Sequence, residues 1–446
     1  MHEPTIAATE DVDEIIFHPI EHAGFRFYAL CAFLLVIVLT SGTIYFTQLR
    51  DGLGVTGLNR PVYWGFYIIN FVFFIGISHA GTLISAILRL CDAGWRRPIT
   101  RIAEVITVVV LCIGGLHPVL DLGRPDRMLN LFEYGRLQSP LLWDVISVTA
   151  YFTASSIYLY LPLIPDIAIL RDRGTKPHLL YEFLAWGWQG TEQQHKVLHR
   201  AMNILMVMVI PIAISVHTII AYIFAMTLRP GWHSTIFGPY FVVGAIFSGI
   251  ASIFVLMIIF RKVFHFERYL KLVHFQALSK LLLVMALVWF YFTFSEMLTG
   301  FFGGEPHEMS LLMSKFTGGY SAWFWVMMVG NFFLPVTILA LPRLSTLTGI
   351  FVASCGVIVG MWIERYLIVV PTLSHSVYSH GIYHAALVEI MVFVGAIAAF
   401  FLGYLLFARF FPLISIWEIR EGRAEALREA TIKIASYQPD QQKVTA

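Results

Sequence analysis

The sequence predicts an all-α polytopic membrane protein with about ten transmembrane helices. Hydrophobic residues make up 58% of its 446 residues and charged residues only 13%, whereas soluble domains carry about 25% charge. The apolar residues form ten runs that are long enough to cross a bilayer and too uniformly apolar for barrel strands. Because a backbone in lipid must satisfy its own hydrogen bonds, such runs are helices. They cover residues 26–47, 62–88, 100–120, 141–164, 201–228, 239–260, 272–299, 319–341, 346–366 and 384–410.

The ten runs divide the chain into three parts. Residues 1–24 form a polar arm with several acidic residues and no Lys or Arg, residues 25–411 form the transmembrane domain, and residues 412–446 form a charged tail. An even number of spans places both termini on one side, and the loops of that side carry the larger number of Lys and Arg residues. Cytoplasmic loops have this bias. We therefore expect both termini to be cytoplasmic and the tail to be a solvated helix.

Composition and motifs exclude several functions. A net charge of +2 and the lack of a basic run interleaved with aromatic residues argue against nucleic acid. The four cysteines, Cys31, Cys91, Cys112 and Cys355, stand singly, without the spacing of a metal or iron–sulfur site, and no CxxCH motif for haem is present. We interpret the cysteines as packing residues and predict no metal site, so any electron carrier belongs to another polypeptide.

Ionisable residues within the apolar runs are the main functional candidates, because each costs about 3 kcal/mol at the centre of a bilayer. The first, sixth and eighth runs contain none between their ends. The ninth run is expected to end at its outer side in Glu364 and Arg365. The other candidates, in chain order, are His79, Glu104, His117, Asp144, His217, His274, Lys280, Glu296, His384 and Glu389.

Some of these candidates suit either a structural or a functional role. His79 and His217 could form interhelical hydrogen bonds, and Glu104 and Lys280 lie near enough to the inner interface to extend their charges to water. The alternative role for these four residues is a proton path. Asp144 could cap a helix, but three apolar residues precede it, which suggests that the helix begins before it.

A charged stretch at the outer ends of two runs predicts the main site. Asp121 and Arg124 lie in this stretch, His117 lies one helical turn earlier, and Asp144 opens the next run. Burial raises the pKa of a carboxyl group and a nearby arginine lowers it, so this set can exchange a proton with a bound hydroxyl group near neutral pH. A quinol requires such groups beside an apolar slot. Arg365 is the arginine that we expect to complete this set.

Several stretches of the sequence resemble the NrfD/PsrC family of quinone-interacting membrane subunits of bacterial respiratory complexes. The resemblance covers residues 24–422 and includes LDLGRPDR, SPLLWD, RPGWHSTIFGPYFVVGAIFSGIA, MWIERYLIVVP and FPLISIWEIREG. Within the family, the chain is most similar to the quinol-binding ActC subunit of alternative complex III, followed by QrcD and DsrP. It departs from the HLGRPW pattern of ActC, because Asp121 and Asp126 stand at the His and Trp positions.

The resemblance implies two four-helix bundles with flanking helices in a bacterial inner membrane. It also implies a quinone, menaquinone in particular, bound near the periplasmic side beneath an iron–sulfur subunit, with no haem in this chain. Further membrane and cytochrome c subunits are expected partners, and the chain alone would not be catalytic. The family's WD carboxylate corresponds to Asp144 and its ER arginine to Arg365. These two residues, with Asp121 and Arg124, would bind the quinone, and Asp144, Asp121, His117 and Arg365 would carry the chemistry.

Two other classes of function remain open from the residues alone. A cytochrome b-like protein would hold haem through His79 and His217, and a haem absorbance spectrum would reveal it. A secondary transporter would line a substrate path with its intramembrane charges and would act without a redox partner. Transporters commonly contain inverted repeats and broken helices, and neither is visible in the sequence.

Overall fold

A computed structural model describes residues 7–91, 93–376 and 379–437. Within these residues, ten helical segments are long and apolar enough to span a membrane, which confirms the predicted fold class. The outermost parts of the predicted arm and tail, residues 1–6 and 438–446, lie outside the described residues. The spans are Phe25–Asp51, Phe66–Leu90, Gly94–Asp121, Pro140–Asp172, Glu192–Ala225, Phe237–Val263, Leu272–Gly303, Ser321–Ala340, Leu347–Ser374 and Leu387–Phe410.

The helices are numbered in chain order. They are α1 Ala7–Glu21, α2 Phe25–Asp51, α3 Phe66–His79, α4 Ser85–Leu90, α5 Arg97–Asp121, α6 Asn130–Glu133, α7 Pro140–Tyr160, α8 Ile164–Asp172, α9 His178–Leu184, α10 Glu192–Ala225, α11 Phe237–Val263, α12 Leu272–Gly303, α13 Pro306–Phe316, α14 Ser321–Met328, α15 Leu334–Ala340, α16 Leu347–Ser374, α17 Leu387–Phe410 and α18 Ile416–Tyr437. A π-helical turn, Ala80–Ile84, joins α3 to α4, and another, Val329–Phe333, joins α14 to α15. The two-residue strands β1 His375–Ser376 and β2 Ser379–His380 pair antiparallel after α16.

The spans form two four-helix bundles with flanking helices. In the first bundle, α3 packs on α5, α5 packs on α7, and α7 packs on α10. In the second bundle, α11 packs on α12 and on α16, and α15 packs on α12 and α16 as well. The bundles meet where α3 and α10 contact α11, so α3 and α11 are the most buried helices. Helices α2 and α17 pack on each other beside the first bundle. The face with α1 and α18 is called the termini face below, and the other is called the opposite face.

The ninth span extends further than the sequence predicted. Helix α16 continues to Ser374, so Glu364 does not mark its end. At about 1.5 Å per residue, Arg365 lies about 14 Å from the last residue of the helix. The prediction ends this run too early because two adjacent residues of opposite charge are typical of the membrane–water interface. The side chains of Glu364 and Arg365 are instead buried inside the protein.

The arm and the tail are anchored to the membrane domain. Helix α1 buries Ile16, Phe17 and Ile20 and packs on α17. The first turn of α18 is also buried, so the expectation of a wholly solvated tail is wrong for this part. Its Glu418 carboxylate accepts hydrogen bonds from Arg89 at 2.8 Å and from Arg96 at 3.0 Å. These ion pairs hold α18 against the first bundle.

We expect acidification to release α18. Burial alone would raise the pKa of Glu418, but the guanidinium groups of Arg89 and Arg96 outweigh it and hold that pKa below its ordinary value of 4.5. Because the pKa of Glu418 is lower in the folded state than in the unfolded state, its ion pairs stabilise the fold at pH values above its ordinary pKa. This stabilisation is lost as the pH falls through the lowered pKa of the folded state. The measurement is the anisotropy of a fluorophore at position 426, in a variant without the native cysteines. Glu418→Gln should raise the mobility of α18 already at neutral pH.

The matched control is Glu425→Gln, which changes an exposed carboxylate of the same helix that pairs with Arg97. We expect this variant to keep the wild-type pH profile, since exposed ion pairs contribute little. Equal pH profiles for Glu418→Gln and the wild type would contradict the proposed role of the buried pairs.

Candidate functional site

A cavity of about 570 Å³ lies between α5 and α7 near the opposite face. Most of its lining is apolar, and the loop between the two helices covers one side of it. The lining residues are Phe71, Leu111, Cys112, Gly115, Pro118, Val119, Leu122, Arg127, Met128, Asn130, Leu131, Leu141, Asp144, Val145, Val148, Thr149 and Phe152. Its size and composition are those of a small-molecule site.

Asp144 is the carboxylate of this cavity. Helix α7 begins at Pro140 after Ser139 in the N-cap position, so Asp144 lies one turn inside the helix and does not cap it. Its side chain is only 8% exposed. Its Oδ1 atom has no hydrogen-bond partner among the described residues. Nearly all buried polar atoms in proteins have a hydrogen-bond partner. A buried oxygen without one is therefore a candidate to bind a ligand or a proton.

His117 and Asp121 lie close by but on another side of α5. Pro118 and Leu122 point into the cavity, whereas His117 and Asp121 do not line it. Successive residues are about 100° apart around a helix. Pro118 and Leu122 therefore face a different side of α5 from His117 and Asp121. The His117 Nδ1 atom is 2.9 Å from the carbonyl oxygen of Ile113. Its Nε2 atom and the Asp121 Oδ1 atom are buried without a partner in the described part of the chain.

The loop after α5 places a different arginine at the cavity than the sequence suggested. Arg124 forms an exposed ion pair with Asp126 at 2.8 Å. The hydrogen bond from Arg124 lowers the pKa of Asp126 below its ordinary range. Arg127, three residues later, lines the cavity together with Asn130. Neither Arg127 nor Asn130 was among the predicted site residues.

Arg365 lies in the second bundle rather than beside Asp144. Its guanidinium carbon is 4.5 Å from the ring centroid of Phe241, and its Nη1 atom is 3.3 Å from the Glu364 Oε2 atom. The Oε1 atom of Glu364 accepts hydrogen bonds from Trp289 Nε1 at 2.6 Å and from the Tyr240 hydroxyl group. The structure therefore separates the predicted set into a cavity with Asp144, a neighbouring pair on α5, and a distinct charged pair on α16.

The predicted proton-path residues also separate. The rings of His79 and His217 pack with their centroids 4.3 Å apart, at the boundary between the bundles. This spacing leaves no room for a porphyrin between the two imidazoles, so the pair does not suit a shared haem. Glu104 is buried in the first bundle and accepts a hydrogen bond from Ser85 at 2.7 Å. Lys280 is exposed on α12 and is not part of this buried group.

This arrangement defines a polytopic helical membrane protein with a cavity and buried ionisable groups inside its spans. The chain belongs to the NrfD family, because residues 54–377 match the family described as "Polysulphide reductase, NrfD". The resemblance drawn from LDLGRPDR and the other stretches is thus confirmed at the level of the family. The similarity to ActC within it stays a prediction.

Three relatives are similar to the chain over most of their length. A putative membrane subunit of a dimethyl sulfoxide reductase from Halobacterium salinarum is 27% identical over 76% of this chain and 75% of its own. A selenate reductase subunit from Mesobacillus selenatarsenatis is 23% identical over 77% and 81%. The "Hdr-like menaquinol oxidoreductase integral membrane subunit" of Archaeoglobus fulgidus is 21% identical over 80% and 82%.

Proposed function

We propose that the chain is the quinone- or quinol-binding membrane subunit of a bacterial respiratory oxidoreductase complex, with menaquinone as its quinone. The observation that carries the proposal is the Asp144 carboxylate in the apolar cavity between α5 and α7, whose buried Oδ1 atom has no partner among the described residues. A quinone ring and the start of its tail need an apolar slot, and its oxygens need a group that exchanges protons. The names of the three relatives, each a subunit of a reductase or oxidoreductase, support the same class.

The residues of the cavity have distinct roles in this proposal. Asp144 accepts a proton from a quinol oxygen, or donates one to a quinone oxygen. Arg127 and Asn130 contact the polar ring edge from the loop and orient it, while Val148 and Phe152 contact its apolar part. A bound quinone supplies the two-electron chemistry. His117 and Asp121, one helix face away, are placed to pass the proton on toward the opposite face.

Electrons would be exchanged with a partner iron–sulfur subunit seated on the opposite face, which is periplasmic in the proposed orientation. The loop over the cavity exposes several large apolar side chains that the chain itself does not cover. They are Leu129, Phe132, Tyr134 and Leu137. Exposed apolar patches mark protein or membrane interaction sites, and these four residues lie in the loop between two spans. A partner docked on this loop would approach the cavity directly, and further membrane and cytochrome c subunits would complete the complex.

The two other classes have less support. A haem held between His79 and His217 conflicts with their 4.3 Å centroid separation. A transporter would need a substrate path through the described spans, whereas the cavity at Asp144 lies near one face. Transporters commonly contain helices that are broken within the membrane, and π-helical turns interrupt two of these spans, after α3 and after α14. A measurement of transport without a redox partner would therefore compare the two classes directly.

Filling the cavity tests the proposal. Gly115 lies in its wall, and an added Cβ atom would approach only Val148, at 4.0 Å. Gly115→Phe should therefore occupy the slot and raise the dissociation constant of a fluorescent quinol analogue at least about tenfold, a loss of about 1.4 kcal/mol. The measurement is fluorescence quenching in the purified complex.

The matched control is Gly42→Phe on α2, where an added Cβ atom meets no atom of the described chain within 4 Å. We expect this variant to bind the analogue like the wild type. Unchanged affinity in an assembled Gly115→Phe complex would place the quinone elsewhere and overturn the proposal.

A further inference from the structure

A second cavity, of about 780 Å³, lies at the opposite face between α3, α14 and α16 and is called the aromatic cavity. It shares no lining residue with the cavity at Asp144. We propose that it binds the ring of a second quinone molecule, whose isoprenoid tail lies in an apolar slot between α16 and α17. This proposal rests on the proposed function for the kind of ligand, and it adds a binding site that the chemistry at Asp144 does not require.

Aromatic rings form much of the wall of the aromatic cavity, and Tyr366 on α16 contacts three of them. Its ring centroid lies 5.6 Å from that of Trp323 and 6.2 Å from that of Trp362. The Tyr320 ring lies 6.4 Å from the Tyr366 ring, and the Phe66 ring lies 5.2 Å from the Trp362 ring. Aromatic groups pair at centroid separations of about 4.5–7 Å. The wall therefore suits a flat ring such as the naphthoquinone of menaquinone.

The lining of the aromatic cavity favours an uncharged ligand. Among the described residues that form it, none is Lys, Arg, Asp or Glu, and its polar side chains carry hydroxyl groups, indole N–H groups or the imidazoles of His375 and His384. A phospholipid would bring a phosphate into this space without a Lys or Arg to pair with it, and burying an unpaired charge is costly. A quinone ring is neutral and needs only hydrogen-bond donors at its oxygens. The composition of the wall therefore favours a quinone over a phospholipid.

Tyr366 is the hydroxyl donor for a quinone oxygen. The hydroxyl groups of two neighbouring tyrosines already have acceptors, because Tyr320 donates to Ser374 at 3.0 Å and Tyr383 donates to the Glu389 carboxylate. The Tyr366 hydroxyl group lines the same cavity and forms no hydrogen bond with any residue that the structure describes. A carbonyl oxygen can only accept, so a hydroxyl group with a free proton is the partner it requires.

An apolar slot of about 420 Å³ lies next to the aromatic cavity, and Trp362 lines both spaces. On α16, Tyr366 belongs to the aromatic cavity and Ile358 to the slot, each about one helical turn from Trp362. On α3, Phe66 belongs to the aromatic cavity and Phe73 to the slot. Because α3 and α16 cross the membrane in opposite directions, both helices place the slot deeper than the aromatic cavity. The two spaces therefore form one path from the opposite face toward the middle of the membrane.

The slot suits a hydrocarbon tail. The Ser252 hydroxyl group and the Trp362 indole N–H group are the polar side-chain groups among its described lining residues. Both already have acceptors at 2.9 Å, the Ser248 carbonyl oxygen and the Asn70 side chain. Its remaining lining residues are apolar, and Val359, Ile397 and Phe401 are also exposed on the outside of the spans. A tail can therefore enter the slot sideways from the bilayer.

The test counts the classes of binding site for the fluorescent quinol analogue in the purified complex, by full titrations of fluorescence quenching. Gly319 lies in the wall of the aromatic cavity, and an added Cβ atom there meets no described atom within 4 Å. Gly319→Phe should therefore fill the cavity and raise the dissociation constant of one class at least about tenfold. Gly303→Phe, at another glycine with no described atom within 4 Å of an added Cβ atom, is the matched control and should bind like the wild type.

Two milder variants separate the ring from the tail. Tyr366→Phe keeps the aromatic wall and should weaken the same class about fivefold, the effect of one lost hydrogen bond. Val359→Trp narrows the slot, so it should weaken competition by menaquinone more than competition by a naphthoquinone without a tail. Val352→Trp is the control for it, because Val352 is also exposed on α16, about two turns away, and does not line the slot.

The outcomes separate this proposal from the proposed function. We expect two classes of site, one weakened by Gly319→Phe and the other by Gly115→Phe. A single class that responds to Gly115→Phe alone would overturn the second site and leave the proposed function intact. A single class that responds to Gly319→Phe alone would overturn the site at Asp144 instead. A phospholipid that purifies with the wild type and is lost from Gly319→Phe, detected by mass spectrometry, would overturn the quinone as the occupant.

Discussion

Asp144→Asn should lower quinol-dependent electron transfer about 100-fold or more, which is the range that a general acid or base contributes. Asparagine has nearly the shape of aspartate and keeps a polar group in the cavity, but it cannot take up the proton. The measurement is steady-state turnover of the purified complex with a quinol substrate. Binding of the quinol analogue should change by only a few fold, because the apolar wall of the cavity is untouched.

The control for this variant is Asp126→Asn. Asp126 is exposed and pairs with Arg124 in the loop beside the cavity, so the substitution removes the same kind of charge nearby without changing the lining. We expect wild-type turnover from it. Full turnover in an assembled Asp144→Asn complex would contradict the proposed chemistry. Asp121, whose buried Oδ1 atom also has no partner in the described part of the chain, would then be the next carboxylate to examine.

The fold was largely predictable because a bilayer imposes a simple rule on sequence. Ten apolar runs of sufficient length gave ten spans, and loops such as residues 122–139 fell where charge and glycine accumulate. The rule failed where charge lies inside the protein instead of at the interface. Glu364 and Arg365 look like the end of a span, yet they are buried in the middle of α16, because Phe241 and Tyr240 of the neighbouring helix cover them.

The candidate site was predictable only in part, because sequence gives the helix on which a residue lies more reliably than the face. Asp144 was found from its position within an apolar run. His117 and Asp121 were placed with it, but a quarter turn of α5 directs Pro118 and Leu122 into the cavity instead. The spacing of Gly115, Pro118 and Leu122 along one side of α5 could have indicated the face that lines the cavity.

Other parts depend on contacts between distant segments. Arg127 reaches the cavity because of the short turns of the loop, whereas Arg124 is held away by Asp126. The Ala213 carbonyl group that binds His79 lies 134 residues away in the chain, and no local pattern predicts such a pair. The buried start of α18 was missed for the same reason, since its partners Arg89 and Arg96 lie far back in the sequence.

Asp166→Ala should be the most destabilising substitution near the termini face. The Asp166 carboxylate pairs with Arg101 at 3.0 Å, and both side chains are buried. The same carboxylate accepts the backbone N–H groups of Ile416 and Trp417, and so caps the first turn of α18 from another helix. Removing it leaves a buried arginine charge and two backbone donors without that acceptor. Breaking a buried ion pair on one side costs about 3–5 kcal/mol.

The measurement is thermal unfolding in detergent together with limited proteolysis of α18. Asp172→Ala on the same helix is the matched control, because its carboxylate is mostly exposed and pairs with Arg171 only at the surface. Exposed pairs contribute about 0–1 kcal/mol, so this variant should unfold like the wild type. Equal stability of the two variants would show that Arg101 is held by its bonds to the Pro162 carbonyl and Ser415 hydroxyl groups instead. If proteolysis of α18 also stayed unchanged, the cap that the Asp166 carboxylate forms on α18 would contribute no measurable stability either.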